Sequence, residues 1–149
     1  MKEKNKIKAL MLSIIPGGGQ FYNKQIVKAV FFLLLFVVGI IFTVIFGGSA
    51  IIGLITLGSI PMKDNSMFLL VRGALAIIIY AIFIIAYIVN LKDAYTTRGK
   101  IDAGLEVPQK TGEILTTIWT NGFPYLVSMP AYLLMSFVII FPVLVTIFI

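Results

Sequence analysis

The sequence predicts an all-α integral membrane protein of about three transmembrane helices, with an interfacial helix at its N-terminus. Hydrophobic residues make up 60% of the chain and charged residues 12%, whereas a soluble domain is about half apolar and about a quarter charged. The apolar excess is segregated into long blocks, with the charges between them. A soluble domain of 149 residues has too little interior to hide such blocks. A bilayer accepts them as solvent.

Residues 1–25 are expected to form a basic N-terminus and an interfacial helix with a turn. Lys2, Lys4, Lys6 and Lys8 open the chain, opposed by Glu3 alone. The run Ala9–Ile15 is too short to span a membrane. Pro16 and three glycines then break the helix. Gln20, Phe21, Tyr22 and Asn23 mix rings with amides, as suits a water–lipid interface. No small-residue cleavage site follows the apolar run, so a retained, cytoplasm-facing N-terminus is expected.

Residues 26–60 hold the first transmembrane helix and a glycine-rich extension. The span runs from near Val27 to about Phe46 without a charge after Lys28, and about 20 residues cross the roughly 30 Å hydrocarbon core. Gly47–Ile60 carries Gly47, Gly48, Gly53 and Gly58. It can extend the helix, re-enter the membrane or pack on a partner, and Ser49-x-x-x-Gly53 suits close helix approach. A break near Gly47–Gly48 is expected, because one helix from Val27 to Ile60 overshoots the bilayer.

Residues 61–67, with Lys63, Asp64 and Asn65, read as a short external loop. Residues 68–91 form the second transmembrane helix. Arg72 lies near its start, where a long side chain snorkels to the interface, and the apolar run Leu75–Val89 outweighs it. Asn90 closes the span. Residues 92–122 are the cytoplasmic loop, broken by Gly99, Gly104, Pro108 and Gly112. Ile114, Leu115, Ile118 and Trp119 fall at helical spacing, which predicts a short amphipathic surface helix, and Asn121–Gly122 predicts a turn. Residues 123–149 form the third transmembrane helix. Apolar to the last residue, this end reads as a chain cut inside or just after a helix.

Orientation follows from the cations. With the N-terminus inside, Lys2, Lys4, Lys6, Lys8, Lys24, Lys28, Lys92, Arg98, Lys100 and Lys110 face the cytoplasm, against Lys63 and Arg72 outside: ten against two. The net charge of +6 therefore reads as a topology signal. No aromatic-interleaved basic stripe is present, which argues against nucleic acid.

Catalytic chemistry is not written into this chain. It has no Cys and no His, which removes thiolates and the commonest metal ligand. Gly99-Lys100-Ile101 is no phosphate loop. Glu3, Asp64, Asp93, Asp102, Glu106 and Glu113 all lie in polar segments and none at mid-membrane. No enzyme activity, cofactor or metal is expected.

Two segments carry a family resemblance. Leu12-Ser-Ile-Ile-Pro16-Gly17-Gly18-Gly19-Gln20-Phe21-Tyr22-Asn23-Lys-Gln25 resembles the opening of MalF-type permease subunits of bacterial carbohydrate ABC importers, chiefly the maltose/maltodextrin group. That family reads Pro-Gly-x-Gly-Gln-x-Tyr-Asn there, commonly with Leu where Gly18 stands. Gly122–Pro142, with Pro124, Pro130 and Pro142, resembles the helix that begins the permease core. The order of the segments and the basic loop between them match as well. The resemblance implies a bacterial cell-membrane protein that contributes to a translocation unit. It also implies a second permease subunit, ABC ATPase subunits and an external sugar-binding protein as partners, besides the lipid bilayer. The family's coupling loop and later spans lie beyond residue 149, so an N-terminal portion is expected, unable to transport alone. Pro16, Gly17, Gly19, Gln20, Tyr22 and Asn23 match the motif and are expected to serve structurally at the interface. Similar glycine-rich strings occur in small TM2-like membrane proteins, so the alternative is a complete small multi-helix protein with a scaffolding or interaction role.

Overall fold

Inside lipid every backbone N–H and C=O needs an internal partner, which leaves helices or closed barrels. The structure, a computed structural model, describes residues 2–60, 63–108 and 110–148, and the described residues form helices and no strands. In order these are α1 (Lys2–Leu12), α2 (Gly18–Tyr22), α3 (Ile26–Phe42), a π-helical turn (Thr43–Gly47), α4 (Gly48–Thr56), α5 (Ser66–Asp102) and α6 (Thr111–Phe148). Three helical stretches are long and apolar enough to cross a membrane: Ile26–Thr56 with 31 residues, and Ser66–Asp102 and Thr111–Ile147 with 37 each. The expected fold class holds.

The boundaries differ from expectation in informative ways. No break occurs at Gly47–Gly48. The helix absorbs one extra residue as a π-turn over Thr43–Gly47 and continues to Thr56. Packing explains the continuity, since the Tyr80 ring lies against Gly47 and meets Phe42 edge-on at 5.4 Å. α5 does not stop at Leu91 but runs to Asp102, and ends where Gly104 takes a left-handed φ of +77°. The expected amphipathic helix is not separate either. It is the first part of α6, and Asn121–Gly122 lies within that helix instead of turning. Pro124, Pro130 and Pro142 also lie inside α6. Each removes one ladder bond, a loss that membrane helices tolerate. Met1, Pro61, Met62, Gln109 and Ile149 fall outside the described residues, and with them the first residues of the expected external loop and the last of the third span. The side chain of Ile118 is likewise not described.

The chain divides into two compact units. The first comprises Met1–Val38 and Phe83–Pro124, the second Gly39–Ile82 and Tyr125–Ile149. In the second unit, Leu54 of α4, Leu70 and Ala74 of α5 and Leu144 of α6 form a buried cluster, with Ile77, Phe137 and Phe141 packed on it. In the first unit, α1 and α2 pack on α5. Most of the apolar surface remains outside these cores: Val44 is 79% exposed and Leu134 70%. Soluble monomers rarely expose so much contiguous apolar area, so these faces are suited to lipid.

The link from α4 to α5 is built locally. Leu57 (φ +49°) and Gly58 (φ +103°) reverse the chain. Asp64 Oδ2 then accepts from the Ser59 N–H at 2.8 Å and the Ile60 N–H at 2.9 Å. Asn65 Oδ1 caps α5 by accepting from the Phe68 N–H at 3.2 Å. The Ile60 and Ser59 amides favour the Asp64 carboxylate and lower its pKa below the ordinary 3.8. A depressed carboxyl pKa stabilises the folded loop above the unfolded value, and that contribution is lost as pH falls through the folded value. In a pH titration followed by NMR, the Ser59 and Ile60 amide shifts should therefore inflect below pH 3.8, and Asp64→Ala should abolish the inflection.

Candidate functional site

The glycine-rich motif is held by one turn of α5. α5 is apolar over most of its length before this point, but Asn90 and Asp93 put polar groups on the turn where α2 docks. Asn90 is fully buried. Its Oδ1 accepts from the Gly17 N–H at 3.1 Å, and its Nδ2 donates to the Ser13 carbonyl at 3.0 Å. Its own backbone carbonyl accepts from Gln20 Nε2 at 2.9 Å. Asn90 thus satisfies backbone groups that the broken helix at Pro16–Gly17 would leave without partners.

Around this centre the motif residues converge. Gln20 Nε2 also reaches Asp93 Oδ2 at 3.3 Å, while Lys28 Nζ of α3 donates to Asp93 Oδ1 at 2.8 Å. Asn23 Nδ2 donates to the Ala94 carbonyl at 2.9 Å, and Gln25 Nε2 to the Pro108 carbonyl at 2.9 Å. Tyr87 donates its hydroxyl to the Ile14 carbonyl at 3.2 Å. The Tyr22 ring lies under two cations, Arg98 at 5.0 Å and Lys8 at 5.6 Å from its centroid. Arg98 is aimed by Asp102 one turn on, at 2.9 Å. Such cation–ring pairs hold α1, α2 and α5 together where they meet.

Two glycines are required by geometry. Gly17 has a φ of +89°, and a Cβ there would collide with the Ala29 carbonyl. A Cβ on Gly19 would stand 2.7 Å from Ala94 Cβ. Pro16 is buried beside them. The structure therefore gathers Pro16, Gly17, Gly19, Gln20, Tyr22 and Asn23 at one place. Pro124, Pro130 and Pro142 are not part of it and lie along α6. The sequence reading missed the other half of the clamp: Ser13, Lys28, Asn90, Asp93 and Ala94. The signal was present in Asn90 and Asp93, polar residues at i, i+3 directly after an apolar span. Chemically, the arrangement orders backbone and positions charges. Among the described residues, no group of three or more His, Cys, Asp or Glu side chains could hold a metal.

Comparison with known proteins places this geometry in context. The chain is 42% identical over all 149 residues to the maltodextrin transport system permease protein MalC of Streptococcus pneumoniae, covering 34% of that protein. It is 45% identical over 146 residues, 98% of the chain, to the maltodextrin transport system permease protein MdxF of Bacillus subtilis, again covering 34%. It is 40% identical over 139 residues, 91% of the chain, to the galactooligosaccharides transport system permease protein GanP of Bacillus subtilis, covering 32%. The chain spans about a third of the length of these relatives, and the matched third is N-terminal. No family model matches, and no solved structure matches. The resemblance to sugar-importer permease subunits is borne out. The homologues are transport permeases and not enzymes, and the chain is a multi-pass protein of the bacterial cell membrane.

Substitution tests the clamp. Asn90→Leu orphans the Gly17 N–H and the Ser13 carbonyl, at about 1–3 kcal/mol for each buried group. Tyr87→Phe, which removes one long bond, should cost only about 0.5–1.5 kcal/mol. Denaturation in mixed micelles measures both. Equal costs would show that the Asn90 turn does not hold the motif.

Proposed function

We propose that this chain is the N-terminal membrane portion of a permease subunit of an ABC sugar importer, contributing to the translocation unit for maltodextrin-type oligosaccharides. The observation that carries this reading is 42% identity along all 149 residues to a maltodextrin permease. It favours the permease over a free-standing small membrane protein, because the identity is not confined to the glycine-rich motif. In this reading ATP is consumed by separate ATPase subunits, and the sugar is delivered by an external binding protein. A second permease subunit completes the pathway. The part played by this chain is structural: Pro16, Gly17, Gly19, Gln20, Tyr22 and Asn23 fix the entry of the chain into the membrane against α5. The prolines of α6 shape the helix that leads into the permease core.

We assign the N-terminus and the residues around Lys92–Lys110 to the cytoplasm, on the strength of ten cations against two. Cysteine replacing Lys63 should then react with an impermeant maleimide on intact cells, while cysteine replacing Lys100 should react only after permeabilisation. The reverse pattern would invert the topology.

A chimaera tests the function. In a Bacillus subtilis strain lacking MdxF, this chain replaces the matching N-terminal third of that permease. Maltodextrin uptake should return, and the chain alone should not restore it. A chimaera present in the membrane at normal level but unable to take up maltodextrin would overturn the reading.

A further inference from the structure

Among the described residues of the second unit, Arg72 is fixed in position by side chains that carry no negative charge. Arg72 of α5 donates through Nη2 to Ser49 Oγ at 3.0 Å, and its guanidinium carbon stands 4.8 Å from the Phe46 ring centroid. Ser49 donates its own hydroxyl to the Phe46 carbonyl at 2.9 Å, which leaves its oxygen free to accept from Arg72. The π-turn ends between these partners, so the ring and the hydroxyl are presented one turn apart on the same helix. Arg72 is thereby held in place while most of its five donors remain available, and its buried Nε has no hydrogen-bond partner. The sole acid in the sequence of this unit is Asp64, whose Oδ2 is occupied by the Ser59 and Ile60 amides.

The depth of Arg72 along the helix says which groups lie at its level. Along α5, Arg72 and Lys92 are about 20 residues apart, roughly 30 Å of helix, which matches the hydrocarbon core. Along the first span, Lys28 and Ser49 are about 21 residues apart, again roughly the same thickness. Both helices place the guanidinium where hydrocarbon ends and headgroups begin. The anion abundant at that level is a lipid phosphate, and a planar guanidinium pairs with phosphate through parallel hydrogen bonds.

The geometry points to a phospholipid site: Arg72, aimed by Ser49 and Phe46, binds the phosphate of a headgroup in the adjacent leaflet. The snorkelling reading explains how Arg72 is tolerated. The fixed guanidinium adds a specific ligand and a reason for the π-turn.

The test uses the whole chain in detergent and native mass spectrometry. It is titrated with phosphatidylglycerol and, separately, with a glycosyl diacylglycerol of the same acyl chains, which has no phosphate. The wild-type chain should retain phosphatidylglycerol over the glycolipid by roughly tenfold, the scale of one charge-assisted hydrogen-bonded pair. Arg72→Gln should erase the preference, and Phe46→Leu and Ser49→Ala should each lower it severalfold, while Lys92→Gln leaves it unchanged. If Arg72→Gln fails to fold, Phe46→Leu and Ser49→Ala, which keep the charge, decide the matter. Equal retention of both lipids by the wild-type chain overturns the proposal and leaves Arg72 to an acid on a neighbouring protein. Full displacement of the lipid by millimolar inorganic phosphate also overturns it, because the site would then serve a soluble anion.

Discussion

A polar group in hydrocarbon without a partner costs several kcal/mol, and this constraint organises the chain. At two places where the described backbone stops being helical, a side chain takes over some of its bonds. At Pro16–Gly17 that side chain is Asn90, which serves one donor and one acceptor of the broken segment. Between α4 and α5 it is Asp64. At the interior prolines of α6 the structure accepts the loss of single bonds and keeps the helix. Two charged pairs flank the spans: Lys28 meets Asp93, and Arg98 meets Asp102.

The spans were legible in the sequence because their signal is collective. Some 20 uncharged apolar residues outvote any local feature, as the run after Lys28 shows. Helix ends were less legible because they depend on contacts made by distant residues. Gly47–Gly48 has the composition of a break, yet Tyr80 and Phe42 pack around it and the helix absorbs the strain as a π-turn. Gly99 also failed to stop α5, which continues until Gly104 adopts a left-handed φ. The motif half of the clamp could be named from its spacing. The α5 half showed in the sequence only as polar Asn90 and Asp93 closing an apolar span, and nothing local ties Asn90 to a residue 73 positions earlier.

The two halves together explain why so short a motif is sufficient. Gly17 supplies a φ that side-chain-bearing residues avoid, Gly19 lets α2 approach Ala94, and Gln20 and Asn23 then reach α5 carbonyls that are already bonded within their helix. A carbonyl oxygen has a second lone pair for this purpose. The motif therefore reads backbone more than side chain on its partner helix, and only Asn90 and Asp93 need to be polar there.

Spacing along α6 has a mechanical consequence. Pro124 and Pro142 are about 18 residues apart, which is close to five full helical turns, so they lie on the same line along the cylinder. Each missing bond leaves the ladder open on that same side. Pro130 sits well around the circumference from that line. The helix is therefore weakened on one side at Pro124 and Pro142 and on another at Pro130.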